Sequence, residues 1–357
     1  VSDIVTPAVQ GKVASFSSDI KRRFPLVKKV RASSARLIIS PGSCSIAGMA
    51  ELNVAAFAAL GTAFAWTFTA IVFEYAGKRI GALTLNFLRL VVGCVFLGLY
   101  GLIARGSILP LDASLSTWLW LGASGLVGFV LGDLCLFQAF IDIGSRLSML
   151  VYATVPVFTT ILGFLAFGER LTPIGACGMG LTLAGIAFVV LGKKPAAGAT
   201  SPESGRPATR RTRGIVLALV ATLGQAGGLV LGKLGAGSGA GAMNPFAGTQ
   251  VRVIAGVLGF AIILAATRSW RGVGAALKDG KAVASLTVGS FLGPFLGVSL
   301  SLLAVQSGNT GVASAIMSIV PVLIIAPSAL VFKERVTLRE ILGSLVAVAG
   351  VFVLFLA

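Results

Sequence analysis

The sequence predicts an all-α integral membrane protein whose ten transmembrane helices form two inverted five-helix repeats. Three observations carry that expectation. Of the 357 residues, 56% are hydrophobic and 11% charged, with a mean hydropathy of +0.97, whereas a soluble domain carries about 25% charged residues. Roughly ten apolar runs recur, each near the ~20 residues that a helix needs to cross hydrocarbon. The runs also fall into two sets related by a fixed offset. A soluble enzyme, a secreted disulfide scaffold and a membrane barrel are excluded, the last because barrels use alternating segments of about ten residues.

The remaining counts narrow the chemistry. Histidine is absent, which removes the commonest general base and zinc ligand. Cys44, Cys94, Cys135 and Cys177 stand singly, so neither a metal knuckle nor a dithiol site is indicated. No cofactor or metal is expected. The net charge of +17 has no stripe on a polar fold to serve nucleic acid; in a membrane protein such an excess sits in loops and tails and sets orientation. The expected partners are the lipid bilayer and a small-molecule substrate.

Residues 1–52 form a Ser-rich tail with eight basic residues and no run long enough to span. The short apolar stretch at Leu37-Ile38-Ile39 does not make a secretory signal. Two readings stand for the tail, a flexible basic arm or a leader foreign to the native protein. The first repeat occupies 53–192, with spans at 53–73, 82–103, 117–140, 145–167 and 173–191. Residues 193–213, rich in Pro, Ala, Ser and Arg, read as a flexible linker because they cannot bury a core. The second repeat occupies 214–357, with spans at 214–232, 246–266, 284–304, 310–332 and 338–356.

The repeat relation rests on residues that apolar composition does not align by chance. An offset of 165 (321 − 156) carries Pro156-Val157 onto Pro321-Val322, and Glu169-Arg170-x-Thr172 onto Glu334-Arg335-x-Thr337. It also carries Gly128, Gly132, Gly178 and Gly185 onto Gly293, Gly297, Gly343 and Gly350. An offset of 163 pairs Gly61 with Gly224 and Arg89 with Arg252. Five spans per repeat is an odd number, so the second set enters from the opposite face, with a binding site near the midplane.

Within the spans, Gly128-x-x-x-Gly132 and Gly289-x-x-x-Gly293-x-x-x-Gly297 read first as grooves for close helix approach. Asp133 lies deep in the third span, where a carboxylate is costly unless paired, hydrated or protonated. At about 100° per residue it falls near the face of Gly122, Gly125 and Gly132, turned from lipid. It suits proton coupling or recognition of a cation; a structural carboxylate held by Ser145 or Arg146 is the other reading. Val298 stands at the matching place in repeat two, so any coupling is asymmetric.

Arg89 and Arg252 either snorkel to an interface or bind a carboxylate, of the substrate or of Asp133. Tyr152, Gln138, Ser148, Gln306 and Asn309 are further polar candidates, each also readable as an interhelical hydrogen bond. Trp118, Trp120 and Trp270 sit at span ends and read as belt residues; Trp66 is mid-span and packs or lines a cavity. Pro156 and Pro321 are expected to kink the fourth and ninth spans as paired hinges. Glu169-Arg170 and Glu334-Arg335 read as turn ion pairs of little energetic weight. Gly227 to Leu234 nearly spells a phosphate loop, but Leu234 replaces the hydroxyl that would hold magnesium and no strand precedes it.

The Pro-Val step, the Glu-Arg-x-Thr turn and the closing helix with Ala184-Gly185 or Ala349-Gly350 resemble the EamA-type branch of the drug/metabolite transporter superfamily over residues 53–356. The stretch Gly132-Asp133-Leu134-Cys135-Leu136-Phe137-Gln138-Ala139-Phe140 with Ile143-Gly144-Ser145-Arg146-Leu147-Ser148 is especially similar, and Arg89 looks like an arginine common in the second helix of such repeats. The resemblance implies a secondary-active exporter or permease for small metabolites, often amino acids or amphipathic compounds, driven by ion or substrate gradients. It implies a bacterial-type cytoplasmic membrane and both ends inside, whereas the basic loop residues place both ends outside when the tail is set aside. A lipid-linked substrate flippase of the same fold is the alternative. An intramembrane enzyme lacks a catalytic pair, since Asp133 has neither a histidine nor a second buried carboxylate beside it.

Overall fold

The protein is seen in a computed structural model that describes residues 46–191, 208–323 and 338–356. In the first repeat these form α1 (Ile46–Ile80), α2 (Ala82–Arg105) and α3 (Leu115–Gly125). A π-helical stretch, Leu126–Asp133, joins α3 to α4 (Leu134–Tyr152), and α5 (Val155–Phe167) and α6 (Pro173–Leu191) follow. The second repeat holds α7 (Ala208–Ala236), α8 (Pro245–Ala266), the short α9 (Trp270–Ala276) and α10 (Gly280–Ser290). A second π-helical stretch, Phe291–Gly297, leads into α11 (Val298–Ser307), then α12 (Thr310–Met317), α13 (Val320–Leu323) and α14 (Leu338–Phe355). Among the described residues six helical spans are long and apolar enough to cross a membrane, joined by shorter apolar helices at Val155–Phe167, Pro173–Phe188 and Ile341–Phe355. This is an all-α integral membrane fold built from two repeats.

Several boundaries differ from those expected. Helix α1 starts at Ile46, inside the expected tail, and α7 starts at Ala208, six residues before 214. The third span does not end near 140; the helix runs on to Tyr152 and breaks at Ala153–Thr154. Pro156 therefore does not kink a continuous helix. It sits in the first turn of α5, where a residue without N–H leaves no hydrogen bond unmade. The corresponding turn of repeat two, Ser318–Ile319, precedes Val320 at the same offset (318 − 153 = 165). Residues 1–45, 192–207 and the Glu334-Arg335-x-Thr337 turn lie outside the described residues, as do the side chains of Ser145, Arg146 and Pro321.

The π-helical stretches are also mates, 165 residues apart (291 − 126). Pro294 accounts for the second by removing a helix donor and crowding the preceding turn. The first has no proline; instead Gly128 and Gly132 let its widened turns lie against Gly228 and Gly224 of α7, where an added Cβ would meet a partner backbone atom at 2.9 and 2.8 Å.

Packing between repeats comes in exchanged pairs. α1 lies against α10 and α11, as α7 lies against α3 and α4. Likewise α1 meets α12 as α7 meets α5, while α2 meets α8, α5 meets α12 and α6 meets α14. This is the pattern of a two-fold axis, and an odd number of spans per repeat lays that axis in the membrane plane. The α6–α14 crossing is the tightest use of small residues. A Cβ on Gly185 would stand 2.4 Å from Ala347 N, and one on its mate Gly350 2.4 Å from Thr182 N. Lipid tails are as apolar as leucine, so such backbone contact supplies association that hydrophobicity does not.

Two charged clusters tie the repeats at their ends. Lys233 Nζ donates to Glu169 Oε1 at 2.6 Å and to Gly308 O at 2.6 Å, while Glu169 Oε2 accepts from Thr310 N at 2.8 Å. Elsewhere Asp142, fully buried, accepts from Arg213 Nε and Nη2, both at 2.8 Å, and from Arg210 Nε at 3.3 Å. Outside the spans, the hydrogen bond from Arg79 holds the Asp279 carboxyl below the usual carboxylate range, an exposed contact of small weight.

Gly185→Val and Gly350→Val should each lower the melting temperature of purified protein sharply, since overpacking costs about 1–3 kcal/mol. Gly180→Ala, whose Cβ would meet nothing within 4 Å, should leave it unchanged. Lys233→Met should destabilise more than the double variant Lys233→Met/Glu169→Gln, because breaking one side of a buried pair costs about 3–5 kcal/mol; equal melting temperatures for the two would remove the pair from the account of stability.

Candidate functional site

Buried polar and charged side chains from both repeats line a central cavity. Its wall takes Trp66, Thr69 and Phe73 from α1, Arg89 from α2, and Phe129, Asp133, Phe137 and Phe140 from the helix that runs from α3 to α4. Tyr152, Gln225, Arg252, Ser301 and Ser314 complete much of it, so both repeats contribute. The cavity is roomy enough to hold several waters. Residues 129, 133, 137 and 140, like 66, 69 and 73, recur at the three- and four-residue spacing of one helical face.

Three charged residues line this space: Arg89, Asp133 and Arg252. Arg89 Nη2 donates to Asp133 Oδ2, and its Nε donates to Asn86 Oδ1 at 3.0 Å. Asn86 is itself held through Nδ2 to Ala82 O at 2.9 Å. The Arg89 guanidinium also stands 5.0 Å from the Phe137 ring centre and 5.7 Å from that of Phe73, within the range of cation–π attraction. The pair therefore sits against aromatic rings at the edge of the cavity. Asp133 closes the π-helical stretch, whose wider turn turns it toward α2.

Arg252 is 2% exposed and Arg89 5%. Neither snorkels; both face inward. Arg252 lies over the Phe129 ring at 5.2 Å and within electrostatic reach of Asp133. Its Nε and Nη1 find no hydrogen-bond acceptor among the described residues. Gly125 lets α3 approach the Arg252 backbone so closely that a Cβ there would stand 2.2 Å from Arg252 O. The cavity thus holds two buried cations and one carboxylate.

Other expected candidates fall elsewhere. Gln138 Nε2 donates to Asp142 Oδ1 at 3.2 Å, away from the cavity wall. Asn309 Oδ1 accepts from Gly311 N at 2.9 Å and Val312 N at 3.1 Å, the work of a helix cap. Ser148 is buried outside the wall, and Gln306 Nε2 donates to Met243 O at 2.9 Å. Tyr152 and Trp66 do line the cavity, and Val298, the mate of Asp133, lines it as well. Pro156 stands beside Val155, which faces in.

Sequence reasoning missed the aromatic lining and the Lys233–Glu169 cluster. The first was readable in the spacing of Phe129, Phe137 and Phe140 around Asp133. The second was hidden because Glu169 and Lys233 lie 64 residues apart (233 − 169), and each has a nearer charge or motif to explain it. Lys233, the lysine of the near phosphate loop, is occupied by Glu169 inside α7.

No curated protein matches the sequence. Twenty-one chains of solved structure match the protein in fold. One, described as the crystal structure of a protein, is 16% identical with a TM-score of 0.62, covering 84% of this chain and 95% of its own; at that identity the likeness shows the fold alone. The family model of the EamA-like transporter family matches residues 53–191 and 212–356. With both repeats matched, the chain belongs to the EamA-like transporter family.

Proposed function

We propose that this transporter is secondary-active and moves small metabolites by alternating access around the Arg89–Asp133 pair, with proton uptake by Asp133 as the coupling step. One observation carries the reading: an ion pair buried in a cavity whose wall comes from both repeats. Protonating Asp133 removes the negative half of the pair and leaves Arg89 uncompensated, at a cost of about 3–5 kcal/mol. Proton uptake therefore loosens the tie between α2 and the π-helical stretch, and movement of the helices becomes linked to a chemical gradient. The end clusters, Lys233–Glu169 on one side and Asp142–Arg213 on another, supply contacts between repeats that a change of access must break and remake. The turns at Ala153–Thr154 and Ser318–Ile319, ahead of Pro156 and Pro321, are the hinges of this proposal. The bilayer assigned is a bacterial-type cytoplasmic membrane.

The test is flux in proteoliposomes. Asp133→Asn should abolish uptake driven by a pH gradient while leaving exchange of labelled for unlabelled substrate across equal pH. The double variant Arg89→Gln/Asp133→Asn, which removes both charges, checks that loss is not misfolding: it should recover the wild-type melting temperature and remain uncoupled. Uptake by Asp133→Asn with unchanged dependence on pH would end the coupling role. Movement of a lipid-linked substrate with no movement of soluble metabolites would favour a flippase.

A further inference from the structure

We infer that the substrate of this cavity is an organic monoanion, a carboxylate on an apolar or aromatic body, and that Arg252 is the seat of its charge. The inference rests on the transport reading above and adds the chemical class of the cargo. Arg89, Asp133 and Arg252 give the wall two positive charges against one negative. Arg89 spends donors on Asp133 and Asn86. Arg252, equally buried, has unspent donors at Nε and Nη1. A buried guanidinium with unmade hydrogen bonds is expensive even beside the Phe129 ring and the Asp133 field, and a charge-assisted hydrogen bond to a carboxylate is the strongest remedy available to it.

The rest of the wall fixes what surrounds that charge. Trp66, Phe73, Phe129, Phe137 and Phe140 line it with aromatic rings, which suit an apolar or aromatic body. Tyr152, Gln225, Ser301 and Ser314 are neutral, so no second anion of the cargo finds a cation. A dianion would leave one charge unpaired among these neutral and apolar groups. A cation would meet Arg252 and Arg89 with Asp133 already engaged. The repeat relation gives the arrangement its logic: Arg89 and Arg252 are mates, one neutralised by the protein's own carboxylate and the other by the carboxylate that is carried.

Full-length protein in nanodiscs is titrated with 3-phenylpropionate, its primary amide and 3-phenylpropylamine, followed by thermal shift, and each is then tried in proteoliposome exchange. The acid should bind at least about tenfold more tightly than the amide, as expected where a buried donor needs a charged acceptor, and the amine should not bind. Arg252→Gln should weaken the acid by about tenfold or more and change the amide less than about twofold. Should that variant fail to fold, the ranking of acid over amide in the wild type still decides. Equal binding of acid and amide, preference for the amine, or no binding by any of the three overturns the anion seat. Binding of the acid without exchange supports the seat and removes alternating access, whereas exchange of the amine alone keeps transport and removes the seat.

Discussion

A charge in hydrocarbon must be answered inside the protein, and this constraint organises the structure. Water does not reach the centre of the bilayer to screen a carboxylate or a guanidinium. Asp133 is answered by Arg89 and Lys233 by Glu169 and the Gly308 carbonyl, while at the end of a span the buried Asp142 is answered by the exposed Arg210 and Arg213. Each of these ties joins different elements, and the last two join different repeats. Charges scattered along the sequence thus become the contacts that hold the halves in one arrangement. Such pairs are poor sources of net stability compared with apolar packing. Their value is that they are specific and can be undone by a proton or a competing ion.

The same constraint governs the backbone. Helices that cannot gain from hiding apolar surface associate by approaching closely, and close approach needs residues without side chains. Gly128 and Gly132 against Gly228 and Gly224 close one side of the molecule, with backbone on backbone. On the related side, Gly289, Gly293 and Gly297 instead receive Phe73, Thr69 and Trp66. The two halves are mates in path but not in filling. That inequality leaves the cavity wall with aromatic rings from α1.

Much of this was legible in the sequence. Long apolar runs gave the spans, because the thickness of hydrocarbon fixes helix length. Aligned glycines and prolines gave the repeat, because they mark backbone geometry and not apolar composition. Asp133 stood out because a lone acid in an apolar run has no cheap explanation. Illegible were the partner of Asp133, which lies 44 residues away, and the continuation of the third helix to Tyr152. The apolar runs end one span at 140 and open the next at 145, whereas tertiary packing against α7 carries the helix through. Asn309 misled for the opposite reason: an asparagine near a span looks like a ligand when it is a cap.

The cavity wall draws on both repeats, yet α6 and α14 supply none of its residues. These two cross at Gly185 and Gly350, where the main chains touch with no side chain between. A contact of that kind resists sliding, since any shift along either helix drives a neighbouring Cβ into backbone. The crossing therefore fixes the spacing of the two repeats at a place that the cavity wall does not reach.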